Sequence, residues 1–176
     1  RNITITNCIL KHAPGGGIHF YHSPGAQHVK IYNNIISNCK WGIILCGEYV
    51  DDVQIYNNTF YNNETSIAVK EYDAGPLSNV VIKNNISYTA NTKGLVVDPA
   101  FTSAITENYN LWYDTSGIPI TWGTNNYTLS QYKAATSNSA NSIDSNPLFA
   151  DASSYNFHLQ SASPAKDAGT AIPGVI

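Results

Sequence analysis

Six side chains have types and positions suited to acid–base chemistry: His19, Tyr21, Glu48, Lys70, Glu71 and Asp73. A lysine, histidine or tyrosine can remove a proton beside a carboxylate, or hold the charge that develops on it. Two carboxyl groups roughly 5–9 Å apart can instead flank a glycosidic bond and hydrolyse it. Glu48 and Glu71 follow successive copies of one repeated strand, so they fall on neighbouring turns of the chain, with Asp73 and Asp98 close in sequence to the same strands. Glu48, Asp51 and Asp52 form an acidic group that suits calcium, a hard cation that takes several oxygen ligands. Tyr21, Tyr49, Tyr72 and Trp112 offer rings on which sugars stack. Each residue also has an ordinary use. Lys70 suits a surface ion pair with Glu71, and Trp112 suits packing against the segment that follows it.

A repeat must position these groups. Val29-Lys30-Ile31-Tyr32-Asn33-Asn34 returns as Val53-Gln54-Ile55-Tyr56-Asn57-Asn58 and as Val80-Val81-Ile82-Lys83-Asn84-Asn85, with an earlier copy at Ile3-Thr4-Ile5-Thr6-Asn7-Cys8. Asn7, Asn33, Asn57 and Asn84 lie 26, 24 and 27 residues apart, the spacing of stacked coils. Between these copies a second strand recurs as Gly17-Ile18-His19-Phe20, Gly42-Ile43-Ile44-Leu45, Ser66-Ile67-Ala68-Val69 and Gly94-Leu95-Val96-Val97. Alternation of period two turns Ile18, Phe20, Ile43, Leu45, Ile67, Val69, Leu95 and Val97 inward, together with Ile31, Ile55 and Ile82. The same rule turns His19, Tyr21, Ile44, Cys46, Ala68, Lys70, Val96 and Asp98 outward. Asn34, Asn58 and Asn85 recur in a tight turn, where stacked amides form a hydrogen-bonded ladder that Cys8 closes in the first coil.

Ile105 to Trp112 is a divergent fifth copy, with Asn110 continuing the ladder. Tyr127 to Ala135 suits a short helix capped by Thr128 or Ser130. The reading is therefore an all-β solenoid of about five coils over residues 1–115, with a divergent coil and irregular C-terminal capping region over 116–176.

Charged residues make up 12% of the chain and the net charge is −3, which argues against a nucleic-acid groove. No apolar run reaches the roughly 18 residues of a membrane span. Cys8, Cys39 and Cys46 lack metal-ligand spacing and read as small fillers.

The tail narrows the comparison. Ser142-Ile143-Asp144-Ser145-Asn146-Pro147-Leu148-Phe149, Tyr155-Asn156-Phe157-His158-Leu159-Gln160 and Ser163-Pro164-Ala165-Lys166-Asp167-Ala168-Gly169 resemble the ending of right-handed parallel β-helix proteins of the pectate-lyase-like superfamily. That resemblance covers almost the whole chain. It implies a polysaccharide laid across the Gly-Ile-x-Ile sheet and an extracellular or cell-surface setting. It makes Lys70 the preferred catalytic group, with lyase and hydrolase both open, and a non-catalytic binding, adhesive or structural solenoid as the alternative. Such proteins begin with a cap and further coils. The first coil here is therefore expected to meet an N-terminal protein segment or a second chain.

Overall fold

The computed structural model describes residues 2–21, 26–46, 49–72, 75–89, 93–117 and 119–174. Each copy of the repeat contributes one short strand to each of three parallel sheets. Sheet A orders β1 (Ile3–Thr6), β4 (Gln27–Tyr32), β7 (Val50–Tyr56), β10 (Leu77–Lys83) and β13 (Ile105–Asn108) side by side. Sheet B does the same for β2 (Ile9–Lys11), β5 (Ile35–Ser37), β8 (Thr59–Tyr61), β11 (Ile86–Thr89) and β14 (Leu111–Asp114). Sheet C joins β3 (Gly16–Tyr21), β6 (Trp41–Cys46), β9 (Thr65–Val69), β12 (Lys93–Val97) and β15 (Ile120–Trp122), with β16 (Asn125–Tyr127) added antiparallel. The result is a β-solenoid of four regular coils and a divergent fifth.

Register converts the repeated phrase into columns. Ile5, Ile31, Ile55 and Ile82 stack directly along sheet A, and Ile18, Ile43, Ile67 and Leu95 along sheet C. From the second coil on, these side chains are fully buried, because each coil covers the apolar face that its neighbour cannot bury alone. The turns rest on asparagine. Asn7, Asn33, Asn57 and Asn84 have φ of 52–56°, and Asn38 and Asn62 adopt the same left-handed backbone at the next corner. Asparagine tolerates that region better than other residues with a side chain.

One position per coil demands a small residue. A Cβ on Gly42 would lie 2.7 Å from the Phe60 ring, and one on Gly94 would lie 2.7 Å from Trp112. In the coil between them, Ser66 is accommodated beside Ser87, hydroxyl to hydroxyl at 2.8 Å.

Two elements close the structure. The β15–β16 hairpin leads into helix α1 (Leu129–Ala135), whose Leu129 and Tyr132 join the core. Thr128 caps it through a reciprocal pair with Gln131, the hydroxyl accepting from the Gln131 N–H at 3.2 Å and the Gln131 carbonyl from the Thr128 N–H at 3.0 Å. The tail then runs back along the outside of sheet B. Its hairpin, β17 (Phe149–Asp151) and β18 (Asn156–Leu159), covers a column of stacked rings, Tyr61, Tyr88 and Tyr113, with centroids 5.7 and 5.4 Å apart. Phe157 packs on Tyr61 and Phe149 on Tyr88. Tyr155 reaches the first two coils, where the Lys11 ammonium sits 3.4 Å above its ring and Asn38 donates to its hydroxyl at 3.0 Å. Farther along, Asn84 and Thr170 exchange two hydrogen bonds.

Candidate functional site

The outer face of sheet C carries two columns. His19, Ile44, Ala68 and Val96 form one. Tyr21 and Cys46 begin the other, which Lys70 and Asp98 continue through backbone hydrogen bonds to Leu45 and Val69. Beyond His19, which is exposed, the first column is outward-facing yet covered. Ile44 and Ala68 are fully buried and, with Cys46 and the partly buried Trp41, make a small second core on this face. What remains open is the rim where the strands leave the sheet. Tyr21 ends β3, Tyr49 directly precedes β7 and Tyr72 follows β9, and they are 53%, 57% and 55% exposed.

Lys70 pairs with Asp98 of the next coil, Nζ to Oδ1 at 3.0 Å, and not with Glu71. The second Asp98 oxygen accepts the Glu71 N–H at 3.0 Å. One carboxylate thus fixes both the Lys70 ammonium and the start of the Glu71–Tyr72 rim, while the Glu71 side chain stands in solvent. His19 is held elsewhere. Its Nε2 lies 3.2 Å from Cys46 Sγ, and its ring packs 5.4 Å from Tyr21 and 6.4 Å from Trp41. His19 stands on β3 and Lys70 just past the end of β9, two coils or roughly 10 Å along the stack, and each is held by a different partner. Glu48 and Asp73 lie outside the described residues.

The acidic group proposed for calcium is divided between separate partners. Asp51 accepts from Ser78 Oγ at 2.5 Å and Asn79 Nδ2 at 2.9 Å, and those bonds hold its carboxyl below the usual range. Asp52 meets His28 Nδ1 at 2.7 Å and Gln54 Nε2 at 3.1 Å. Among the described residues, no group of three or more His, Cys, Asp or Glu side chains is disposed to hold a metal. Trp112 requires a correction. It is fully buried in the core, its ring edge close against Gly94, and has no face to offer a sugar.

The ladder runs the length of the stack. Asn34 Nδ2 donates to Asn58 Oδ1, Asn58 Nδ2 to Asn85 Oδ1 and Asn85 Nδ2 to Asn110 Oδ1, each at 3.0 Å. The same oxygens take backbone N–H groups from the preceding coil, and Cys8 N–H ends the row on Asn34 at 3.0 Å. All three cysteines are free thiols.

Comparison with known proteins fits this geometry. The family model for the right-handed β-helix region matches residues 1–134. This chain belongs to the right-handed β-helix family. The β-helix chain is also 31% identical over 192 aligned residues to the uncharacterized protein YwoF of Bacillus subtilis (strain 168), a match covering 86% of this chain and 40% of that protein. It therefore spans less than half the length of the curated relative it matches. No solved structure matches it significantly.

One buried acidic group in this β-helix escaped the sequence reading. Glu107 occupies the sheet A column above Ile82 and is 1% exposed. Its carboxylate accepts from Asn110 Nδ2 at 2.7 Å, Trp112 Nε1 at 3.3 Å, Ser142 Oγ at 3.4 Å and Ser139 Oγ. Burial pushes its carboxyl above the usual range, and these bonds pull it back only in part. The signal was present in the repeat, since aligning the copies puts a glutamate where Ile31, Ile55 and Ile82 stand.

Proposed function

We propose that this β-helix binds a polysaccharide along the rim of sheet C and forms part of a protein that processes it. The observation that carries this reading is three tyrosines, Tyr21, Tyr49 and Tyr72, one from each of three successive coils at or after the end of its sheet C strand and each more than half exposed. Large rings left in water on one edge of a solenoid suit a polymer whose sugar faces repeat along the same axis. With net charge −3 and the Lys70 ammonium neutralised by Asp98, a neutral or sparsely charged polymer fits better than a strongly acidic one. The same pairing weighs against elimination, which needs a cation free for the substrate carboxylate. It leaves hydrolysis by carboxylates of the rim, where the Asp98 carboxylate accepts the Glu71 backbone N–H. A polymer ligand also places the protein outside the cell or on its surface. β1, β2 and β3 are the outer strands of their sheets, and Ile9 is 64% exposed. That edge suits a further protein segment, from the same chain or another.

A second reading rests on the distance between His19 and Lys70: a rim that binds sugar with no acid–base pair assembled is a non-catalytic binding surface. Incubation with a polysaccharide panel, followed by mass spectrometry of the product ends, separates the two. Products with added water are expected. Unsaturated ends would overturn the argument against elimination, and intact polymers that remain bound would establish the second reading.

A further inference from the structure

A second acidic pair lies at the far end of the solenoid, away from the sheet C rim. Along β14, Tyr113 faces outward onto Tyr88, whereas Trp112 and Asp114 are buried. Asp114 is 3% exposed. Its Oδ1 accepts the Ser116 N–H at 2.8 Å, but its Oδ2 is buried with no hydrogen-bond partner. A buried carboxylate oxygen left without a donor is costly, and native structures rarely retain one without a compensating group.

Asp144 arrives beside it on the chain that follows α1. Ile143 bridges Leu111 in parallel, and the Trp112 N–H donates to the Ile143 carbonyl at 2.8 Å, so Asp144 is carried onto β14 as the start of another rung. It lies at the surface, where partial desolvation and then the negative charge of Asp114 push its carboxyl above the usual range. The lysine that shares its cleft does not relieve this repulsion. Lys133 lines the same cleft of about 440 Å³ as Asp144, but its ammonium is spent on the Ser142 carbonyl at 2.7 Å.

We propose that Asp114 and Asp144 are ligands of a divalent cation of the calcium type, held between the last coil and the tail. Asp114 supplies a buried oxygen that lacks any other partner, and Asp144 supplies one open to solvent through which the ion enters. Calcium accepts six to eight oxygens, including carbonyls and water, in flexible geometry, whereas magnesium demands a tighter octahedron. Once bound, the ion ties β14 to the segment that leads into the strap along sheet B.

The test is thermal denaturation of the full chain in EDTA, calcium and magnesium, with titration calorimetry for stoichiometry. Wild type should gain stability with the logarithm of calcium concentration above the dissociation constant, reaching about a hundredfold shift in the folding equilibrium at a hundred times that constant. Asp114→Asn and Asp144→Asn should each lose that response while melting in EDTA at or above the wild-type temperature. Asp144 is exposed, so Asp144→Asn remains informative even if the buried substitution disturbs folding. A calcium response absent from wild type, or retained in Asp144→Asn, overturns the site. An equal response to magnesium overturns the assignment to calcium.

Discussion

Asn58→Ala is expected to lower the unfolding free energy by about 3–5 kcal/mol. Asn58 sits in the middle of the ladder and is 1% exposed. Removing its amide strips the acceptor from Asn34 N–H and Asn34 Nδ2, and strips the donor from the Ile31 carbonyl. These groups are buried in the stack, and each buried orphan costs about 1–3 kcal/mol. For a chain of this size the melting temperature should fall by roughly 10 °C. Urea denaturation gives the free energy directly. A loss under about 1 kcal/mol, within the ordinary worth of one hydrogen bond, would mean that the ladder does not hold the coils together.

Glu107 should produce the second large effect, and its two substitutions should diverge. Glu107→Leu leaves Trp112 Nε1 and Ser139 Oγ facing a methyl group inside the last coil, at a cost of about 3 kcal/mol. Glu107→Gln keeps an oxygen toward Asn110, Trp112 and Ser142 and turns an amide N–H₂ toward Ser139. The pH dependence follows from the raised carboxyl. The folded chain retains a proton that the unfolded chain releases, so the contribution is fully present below the ordinary value of 4.5. It is lost as pH rises through the folded value. Glu107→Gln carries no such proton, so the stability difference between it and wild type should grow in its favour as pH rises from 4.5 toward neutrality. Urea titrations at several pH values measure that difference. A constant difference, or a glutamine variant as damaged as the leucine one at pH 7, would contradict the account.

The coils were legible because their causes are local and repeated. Period two separates Ile18 from His19, and stacking makes the same separation in every copy, so few errors could survive four repetitions. The asparagine turns were legible for the same reason. The outer face of sheet C was less so: alternation gives the direction of Ile44, Cys46 and Ala68 but not the second small core they make with Trp41. Lys70 has a sequence neighbour in Glu71, yet its partner is Asp98, one coil away and 28 residues on, because in a solenoid the stacked residue is nearer than the adjacent one. Trp112 looked available as a ring but fills the space that Gly94 leaves. The strap was not legible at all. Its contact between Tyr155 and His12 joins residues 143 apart, and no period in the sequence announces it.

The central claim is that exposed tyrosines on the sheet C rim bind a polysaccharide. Affinity electrophoresis of the wild-type chain and of Tyr21→Ala/Tyr49→Ala/Tyr72→Ala through gels containing neutral and uronate-rich polymers tests it most directly. The account predicts that a neutral polymer retards the wild type, and that the triple variant, with an unchanged melting temperature, migrates at least tenfold less retarded, a factor of ten corresponding to about 1.4 kcal/mol. Equal retardation of the two proteins, or none for the wild type with any polymer, would contradict it.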